Sequence, residues 1–359
     1  MKIFKDILFL LLILSSSLVS AQVKIVAVGD IMLGTAYPDP NDLPSKGNNH
    51  LLDSLSSYLS DGNVTFGNLE GALTDNLSQP KNCGGICYFF GMPTRYGKAL
   101  KKAGFDVVSI ANNHSSDFGA IGRKSTKQTL DTLGIKYAGT LDCETSIFTI
   151  DSIKYGFCAF APNSQTVKIT NIPYAEKIVH QLADSVDIVI VSFHGGAEGP
   201  TMQHITRKTE VYVGENRGNV YEFAHRMIDA GADVLLGHGP HVTRAVEVYK
   251  DRFIAYSMGN FCTYNNVSVK GVNGLAPIFQ IYTDSTGVFD KAQIIPTYQT
   301  KHQAPKIDKY NRVIHIIQNL TKTDFPEMSN VITILDDGWI TKKTTSKTPS
   351  LEENETSKN

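Results

Sequence analysis

The sequence lacks the compositional features that are typical of nucleic-acid-binding, disulfide-rich, repeat and disordered proteins. Lysine and arginine number 34 against 35 aspartate and glutamate, so no excess of positive charge is available for nucleic-acid phosphates. We therefore expect no nucleic-acid partner. Five cysteines in 359 residues are too few for a small scaffold that depends on disulfides. No internal repeat is found, and 42% hydrophobic residues are too many for a disordered chain. The composition predicts a globular α/β or α+β protein.

The first 21 residues have the pattern of a secretory signal. Lys2 and Lys5 precede an apolar run at residues 7–14, and a Val-Ser-Ala segment at 19–21 offers the small residues that a signal peptidase reads. The run is short for a membrane span, and no later stretch has the pattern of a stop-transfer segment. We expect cleavage before Gln22 and a periplasmic, extracellular or cell-envelope location. An uncleaved signal anchor is the alternative.

The cysteines are consistent with an oxidising compartment. Cys83 and Cys87 are separated by three residues, two of them glycine, so their sulfurs can meet in a local disulfide. The competing interpretation is half of a metal site. We favour the disulfide, because no second Cys or His pair lies at zinc-ribbon spacing. Cys158 lies in an apolar run and is expected to be buried.

Short apolar runs alternate with amphipathic stretches along most of the chain. This alternation predicts βαβ units and a largely parallel sheet in one domain at residues 22–300. Glycines 104, 134 and 231 are expected to end three of the helices. Residues 301–340 predict an extension with one helix and a last strand. Residues 341–359 are rich in Lys, Thr, Ser and Glu and predict a disordered tail.

Polar side chains follow five of the predicted strands, at the point where each strand ends. They are Asp30 after residues 23–28, Asn68 and Glu70 after 64–66, Asn113 and His114 after 107–110, His194 after 188–192, and His238 and His241 after 234–236. Because the carboxyl ends of parallel strands line one edge of a sheet, these side chains are expected to converge in one cleft. Any one of them alone would more often be structural, but five such endings in one chain are hard to explain by chance.

The residue types indicate a metal site. Carboxylate, carboxamide and imidazole groups together suit zinc, manganese or iron better than calcium, which takes oxygen ligands only. We therefore expect one or two divalent ions of this kind. Such ions activate water and polarise a phosphoryl or carbonyl oxygen, and a further histidine can serve as general acid.

The order of these endings resembles the pattern of the calcineurin-like metallophosphoesterases. Three departures are present: Met32 stands where that pattern has a histidine, Asn68 stands where it has an aspartate, and the His238–His241 motif is one residue longer. These departures are similar to those of the bacterial capsule synthesis protein family CapA, also called the poly-γ-glutamate synthesis family. The resemblance runs from Val26 to Phe261 and rests on the stretches VAVGDIMLG, GNLEGALTD, GFDVVSIANNHSSDFG, GADVLLGHGPHV and VYKDRFIAYSMGNF.

The resemblance implies a fold and a set of roles. The fold is an α/β, four-layer α-β-β-α sandwich with mixed sheets. His114 is implied as the catalytic proton donor, and Glu198 as an acidic group of the cleft, with an exposed loop carboxylate as its alternative. Asn68 is expected beside the ligands, and the loss of a histidine at Met32 leaves either a mononuclear site or a looser second metal. The implied metal ligands are Asp30, Glu70, Asn113, His194, His238 and His241.

A basic loop follows the fourth of these endings. Residues 203–217 include Arg207, Lys208 and Arg217, which could steer a polyanion such as polyglutamate toward the cleft. The same loop also carries Glu210 and Glu215, so a charge-balanced solvated loop is the default alternative.

Three functions are compatible with these features. The first is an exported metal-dependent hydrolase or transferase that acts on an anionic envelope polymer or on a phosphoester. Such an enzyme would help to make or attach a capsule-like polymer, and membrane polymer-synthesis machinery would be its partner. The second is a non-catalytic envelope factor that binds polymer or partner proteins, which the departures at Met32 and Asn68 favour. The third is a general periplasmic phosphoesterase.

Overall fold

The computed structural model describes residues 22–45, 50–82 and 87–343. The predicted signal at 1–21, Cys83 and the chain from 344 onward lie outside these residues. Cys87 is disulfide-bonded, whereas Cys143, Cys158 and Cys262 are free, and Cys158 is buried as expected. Within the described ranges no helix combines the length and the apolar character that crossing a membrane requires.

The described residues form strands and helices in alternation over most of their length. The strands, in chain order, are β1 (Val23–Met32), β2 (Val64–Leu69), β3 (Ala72–Leu73), β4 (Gly91–Met92), β5 (Val107–Ser109), β6 (Lys136–Ala138), β7 (Thr145–Ile150), β8 (Ile153–Phe160), β9 (Ile188–His194), β10 (Val211–Tyr212), β11 (Glu215–Asn216), β12 (Val234–His238), β13 (Val246–Tyr249), β14 (Arg252–Ala255), β15 (Asn260–Thr263), β16 (Leu275–Thr283), β17 (Phe289–Tyr298), β18 (Lys306–Ile307), β19 (Ile332–Ile334) and β20 (Trp339–Lys342). The α-helices are α1 (Ser56–Leu59), α2 (Gly97–Ala103), α3 (Gly119–Leu133), α4 (Ile172–Ala183), α5 (Val220–Asp229) and α6 (Arg312–Asp324).

Local sequence signals set the ends of the helices. The side chains of Asn171 and Asn219 accept hydrogen bonds from backbone N–H groups in the first turns of α4 and α5. Gly104 and Gly134 end α2 and α3 in the left-handed conformation, as the sequence predicted. Gly231, also at positive φ, follows α5 after one further residue.

Two mixed sheets form the middle of the molecule. The larger sheet has the order β19-β20-β17-β16-β1-β2-β5-β6, and β15 also pairs with β1 and β18 with β17. Its strands β1, β2, β5 and β6 are parallel, whereas β16, β17 and β20 run antiparallel to their neighbours. The smaller sheet has the order β13-β14-β12-β9-β8-β7, with a parallel centre and an antiparallel strand at each edge.

The two sheets pack face to face, with helices on their outer faces. Phe66 of β2 contacts Phe157 of β8 at a ring distance of 5.7 Å, which joins the two sheets through one apolar core. On the far side of the smaller sheet, Phe193 of β9 meets Phe223 of α5 at 5.7 Å. A second core lies between the larger sheet and helices α2 and α3. The predicted four-layer sandwich with mixed sheets is therefore confirmed.

The division into two sheets corrects one expectation from the sequence. The polar strand ends do not lie along a single, largely parallel sheet. Asp30 and Asn68 lie near the C-terminal ends of strands in the larger sheet, whereas His194 and His238 are the last residues of strands in the smaller one. Strands that are buried on both faces have near-continuous apolar sequences, so their sequences do not indicate which sheet each joins.

The C-terminal segment belongs to the same sandwich. Strand β20 pairs with β17, which makes β19 and β20 the edge of the larger sheet, and α6 packs against strands of both sheets. Strand β20 continues to Lys342, so it includes the first two residues of the predicted tail.

Candidate metal centre

Asp30 lies where β1 reaches the junction between the two sheets. Its backbone N–H donates to the carbonyl of Gly259 over 2.8 Å. The preceding Gly29 makes this approach possible, because a Cβ atom at that position would lie 2.0 Å from the Gly259 oxygen. The side chain of Asp30 is fully buried. Strand β1 therefore places the Asp30 carboxylate in the interior. At this point the backbones of Gly29 and Gly259 are so close that position 29 accommodates only glycine.

Three side chains donate hydrogen bonds to the Asp30 carboxylate. Asn68 Nδ2 and His238 Nδ1 donate to Oδ1 over 2.8 and 3.1 Å, and His241 Nδ1 lies 3.1 Å from Oδ2. Burial alone would raise the pKa of Asp30. The bonds from His238 and His241 outweigh that effect and hold the pKa of Asp30 well below its usual range. Asp30 is therefore an anion at neutral pH.

Glu70 presents a carboxylate with no hydrogen-bond donor. Its backbone N–H donates to the carbonyl of Ile31, which fixes the loop after β2 beside β1. Its side chain is fully buried, and neither carboxylate oxygen has a hydrogen-bond partner in the part of the chain that the structure describes. The nearest cationic atom is His241 Nε2, at 3.5 Å from Oε1. Buried carboxylates are normally paired, so the chemistry of this side chain fits a bound cation.

Asp30, Glu70 and His241 form one compact group. Each offers one ligand atom, and these atoms lie within 4.8 Å of one another. Burial opposes protonation of His241, but the charges of Glu70 and Asp30 outweigh it and raise the pKa of His241 to about 10. The backbone of His241 has a φ of 58°, an uncommon conformation for a residue other than glycine. Burial raises the pKa of Glu70 well above its usual value, an effect that a divalent cation would oppose. The sequence-predicted ligands Asp30, Glu70 and His241 do meet.

His194 and His238 lie side by side next to this group. They are opposite each other in the parallel pairing of β9 and β12. His238 Nδ1 donates to Asp30, and among the described residues its Nε2 atom has no hydrogen-bond partner, so Nε2 is the atom available to a metal. Neither ring nitrogen of His194 has a hydrogen-bond partner within residues 22–45, 50–82 and 87–343, and burial lowers the pKa of His194 well below its usual value. Both histidines therefore fit a metal site, although they lie beside the compact group rather than in it.

Asn113 is a further candidate at the end of β5. Its Oδ1 atom is buried and has no hydrogen-bond partner. The neighbouring Asn112 is used differently, because its side-chain nitrogen donates to Asn68 Oδ1 and to the Leu69 carbonyl. Of the two consecutive asparagines, Asn113 is therefore the one with a free oxygen.

Asn68 and Met32 offer no ligand atom. Both polar atoms of the Asn68 side chain are engaged, the nitrogen with Asp30 and the oxygen with Asn112. The sulfur of Met32 is buried and accepts a hydrogen bond from the Gly34 N–H over 3.3 Å. The two positions at which the sequence departs from the phosphoesterase pattern thus stabilise their surroundings.

His114 is held by an aspartate that the sequence reasoning missed. His114 Nδ1 donates to Asp117 Oδ2 over 2.7 Å, and its ring stacks on Phe90 at 3.9 Å. Asp117 is buried and also pairs with Lys81 at 2.5 Å. Burial lowers the pKa of His114, although Asp117 acts in the opposite direction. The spacing His-x-x-Asp within NNHSSD was the signal that could have identified Asp117.

Asn260 is a second residue that the sequence reasoning did not assign. Its Oδ1 atom lies 3.1 Å from His241 Nδ1, and its Nδ2 atom donates to the backbone carbonyl of His241. It follows Gly259 in the stretch SMGNF. Asn260 therefore orients the imidazole that contacts Asp30 and Glu70.

Glu198 and Arg217 reach the same region from the loop after β9. Glu198 Oε1 accepts from Arg217 Nη1 over 2.9 Å, and its Oε2 lies 3.9 Å from His241 Nε2. Glu198 is therefore not the exposed loop carboxylate of the alternative interpretation. Arg217 is largely buried and pairs with Glu215 as well. A cleft of about 460 Å³ opens over His114, Glu198 and His241.

Arg207 and Lys208 do not lie at this cleft. The Arg207 guanidinium bonds to Glu327 and to the Asp324 carbonyl and stacks on Tyr221 and Phe325. Lys208 is exposed next to it. The predicted polyanion-steering role of this pair is therefore not supported, because Arg207 attaches the loop to α6. Arg217 alone among the three lies at the site.

Residues 24–265 match the family model described as bacterial capsule synthesis protein PGA_cap. The chain is 27% identical over 263 residues to the capsule biosynthesis protein CapA of Bacillus anthracis, covering 67% of this chain and 59% of that protein. It is 32% identical over 182 residues to the PGA biosynthesis protein CapA of Bacillus subtilis, and this alignment covers 46% of this chain and 44% of that protein. In both, the aligned part is less than two thirds of the relative. A 5'-nucleotidase precursor from Thermus thermophilus superposes with a TM-score of 0.43 and 12% identity, covering 87% of this chain and 61% of that one.

Proposed function

The chain belongs to the bacterial capsule synthesis protein family PGA_cap, and on that basis we propose that it is an exported, metal-dependent hydrolase or transferase acting on an anionic envelope polymer of the poly-γ-glutamate type. The observation that carries this proposal is the Glu70 carboxylate, which is buried without a donor and grouped with Asp30 and His241. Leaving a buried carboxylate without a counter-charge costs several kcal/mol, which a divalent cation would offset.

The residues that would hold the cation are Asp30, Glu70 and His241, with His238, His194 and Asn113 as further donors. When bound, the cation supplies Lewis-acid activation of water and of the substrate's carbonyl or phosphoryl oxygen. The donor set of carboxylate and imidazole groups suits zinc, manganese or iron. Asn260 and Asp30 fix the orientation of the His241 ring.

His114 is the group that would protonate the leaving nitrogen or oxygen. Its Nδ1–H is committed to Asp117, so Nε2 is the atom left to face the cleft that His114 lines. Asp117 holds the ring in this tautomer and stabilises its protonated form, while the stacked Phe90 ring excludes water from one face.

The substrate class follows from the family and from the named relatives. Two relatives are named for capsule and PGA biosynthesis, and we extend that role to this chain. Cleavage of an amide and of a phosphoester both develop negative charge on an oxygen and require a proton on the leaving group, so the same residues serve either linkage. Membrane-bound polymer-synthesis machinery is the partner that such a role requires.

Export is part of the proposal. The signal-like pattern at residues 1–21 supports it, and so does the disulfide at Cys87, since disulfides persist in oxidising compartments.

A non-catalytic, polymer-binding role is the second candidate. The engaged side chains of Asn68 and Met32 favour it, because both stand where the phosphoesterase pattern has ligands.

Metal analysis together with turnover tests the proposal. The mature protein, Glu70→Gln and the control Glu176→Gln, whose residue lies on the outer helix α4, are reconstituted with zinc, manganese or iron and analysed for metal. We expect at least one equivalent in the wild type and the control, and strongly reduced metal in Glu70→Gln. Each is then assayed on an aryl phosphate and on a γ-glutamyl amide. Equal metal content in all three would contradict the site, and bound metal without turnover on either substrate would favour the binding role.

A further inference from the structure

We propose that the metal centre receives an anionic polymer chain that lies across it, with units of the chain on both sides, rather than a chain end or a small phosphoester. The proposal rests on the function proposed above and concerns where its substrate lies. It starts from two clefts that are lined by consecutive residues of the chain, His114 in the first and Asn113 in the second.

The first cleft contains the groups assigned to chemistry. Its volume is about 460 Å³, and His114, Glu198 and His241 line its inner end. Farther out it is lined by the aromatic side chains of Tyr88 and Tyr212 and by Lys270. It can therefore hold more than the group that reacts.

The second cleft has a comparable size and a polar lining. Its volume is about 440 Å³, and its walls include Asn113, Lys81, Asn163, Lys168 and Glu215. The Asn163 side-chain oxygen is buried there without a hydrogen-bond partner. An N–H donor is the group that would satisfy it, and the amide of a polymer backbone provides one.

Two side chains connect the clefts around the centre. The Lys81 ammonium, in the second cleft, pairs with Asp117, which in turn holds His114 in the first. The Arg217 guanidinium pairs with Glu198 in the first cleft and with Glu215 in the second. The predicted acid His114 thus lines the first cleft, and the next residue back along the chain, the predicted ligand Asn113, lines the second.

Each cleft presents one ammonium group that is free to bind an anion. Lys81 and Arg217 are neutralised by the carboxylates just named. In contrast, across the described ranges no carboxylate lies within 4.0 Å of the Lys270 or Lys168 ammonium. Lys168 donates to the Pro162 carbonyl at 2.5 Å, which uses one of its three N–H bonds. One uncompensated cation on each side of the centre fits a chain that carries a carboxylate on every unit.

A polyamide with repeated carboxylates satisfies both features. Its carboxylates pair with Lys270 and Lys168, and its backbone N–H groups can reach Asn163 Oδ1. A chain end or a small phosphoester would fill one cleft and leave the other lysine unused.

Binding measurements test this arrangement without depending on turnover. The full mature chain is titrated in chelator, where hydrolysis cannot alter the probe, against fluorescently labelled γ-glutamate as a dipeptide and as a long oligomer. We expect the long oligomer to bind more tightly. We expect Lys168→Met and Lys270→Met each to weaken its binding about fivefold at low salt, and the double variant to multiply the two losses. Lys177→Met, an exposed lysine on the outer helix α4, serves as the matched control and should change nothing.

The outcomes separate this proposal from the function on which it rests. If only one of the two lysine variants weakens binding, the chain enters from one side and the proposal is overturned. If reconstituted protein hydrolyses the aryl phosphate or the γ-glutamyl amide but binds long and short probes alike, the enzyme function stands and the proposal fails. If both variants weaken long-oligomer binding while no substrate is turned over, the proposal stands and the catalytic function fails.

Discussion

The amide nitrogen of Asn68 donates a hydrogen bond to Asp30 Oδ1 over 2.8 Å, at paired positions of β1 and β2. An aspartate at position 68 would instead bring two carboxylates together, an arrangement that becomes favourable when cations lie between them. With Asn68 the pair is stable by itself. The single compact group of Asp30, Glu70 and His241 is therefore better suited to one firmly held ion than to two.

Asn68→Asp should convert this pair into a metal-dependent one. In chelator we expect the variant to be less stable than the wild type by about 2 kcal/mol, because two buried carboxylates would adjoin. With added divalent metal it should regain that stability and bind more metal per chain. Thermal unfolding with and without chelator, combined with elemental analysis, measures both effects. Asn68→Ala is the control, since it removes the hydrogen bond without adding charge. An Asn68→Asp variant as stable as the wild type in chelator would contradict this account.

Glu70→Gln should shift stability in opposite directions with and without metal. In chelator we expect a gain of about 1 kcal/mol, because a neutral amide is easier to bury than a carboxylate without a donor. With divalent metal the wild type should be stabilised by binding, and the variant should respond much less. Thermal unfolding over a series of metal concentrations tests this. If the wild type shows no metal response, Glu70 is not a ligand.

Asp117→Asn should lower turnover while leaving the metal in place. We expect kcat to fall about a hundredfold, with little change in KM, because His114 loses the carboxylate that sets its tautomer. His114→Ala should cause a loss of similar size, and the double variant should be little worse than either. Steady-state kinetics and metal analysis on the same preparations provide the readout. Multiplicative losses in the double variant would show that the two residues act independently.

Arg244→Met should destabilise the loop that carries Glu198 and Arg217. Arg244 is 1% exposed and donates to both oxygens of Glu210 and to the carbonyls of Ala197 and Met202. Removing it leaves Glu210 buried and unpaired, so we expect the free energy of unfolding to fall by about 3–5 kcal/mol. Adding Glu210→Gln to Arg244→Met should restore part of the loss. Urea unfolding of the three proteins measures it, and an unchanged midpoint in Arg244→Met would refute the proposed anchor.

Much of the site could be predicted from the sequence because its residues follow strands directly. Asp30, Glu70, His238 and His241 each come at or just after a strand that the apolar runs reveal, so the rule for strand ends identified them as candidates. The rule places them on one sheet, whereas their meeting depends on the packing of two sheets. The partners of these residues were harder to find. Asp117 lies in a turn, where only its spacing from His114 could have indicated it, and Lys168 and Lys270 lie in loops that no periodicity connects to the site.

The sequence by itself determined the alternation of strands and helices, the glycine ends of α2 and α3, and the polar residues that close each buried strand. Those features depend on neighbours along the chain. Only the tertiary structure decided that the strands divide between two sheets, that Arg207 contacts α6 while Arg217 pairs with Glu198, and that His114 and Asn113 line two different clefts. Each of these features depends on packing between segments far apart in the chain. The sequence around a loop residue does not specify which distant surface that residue contacts.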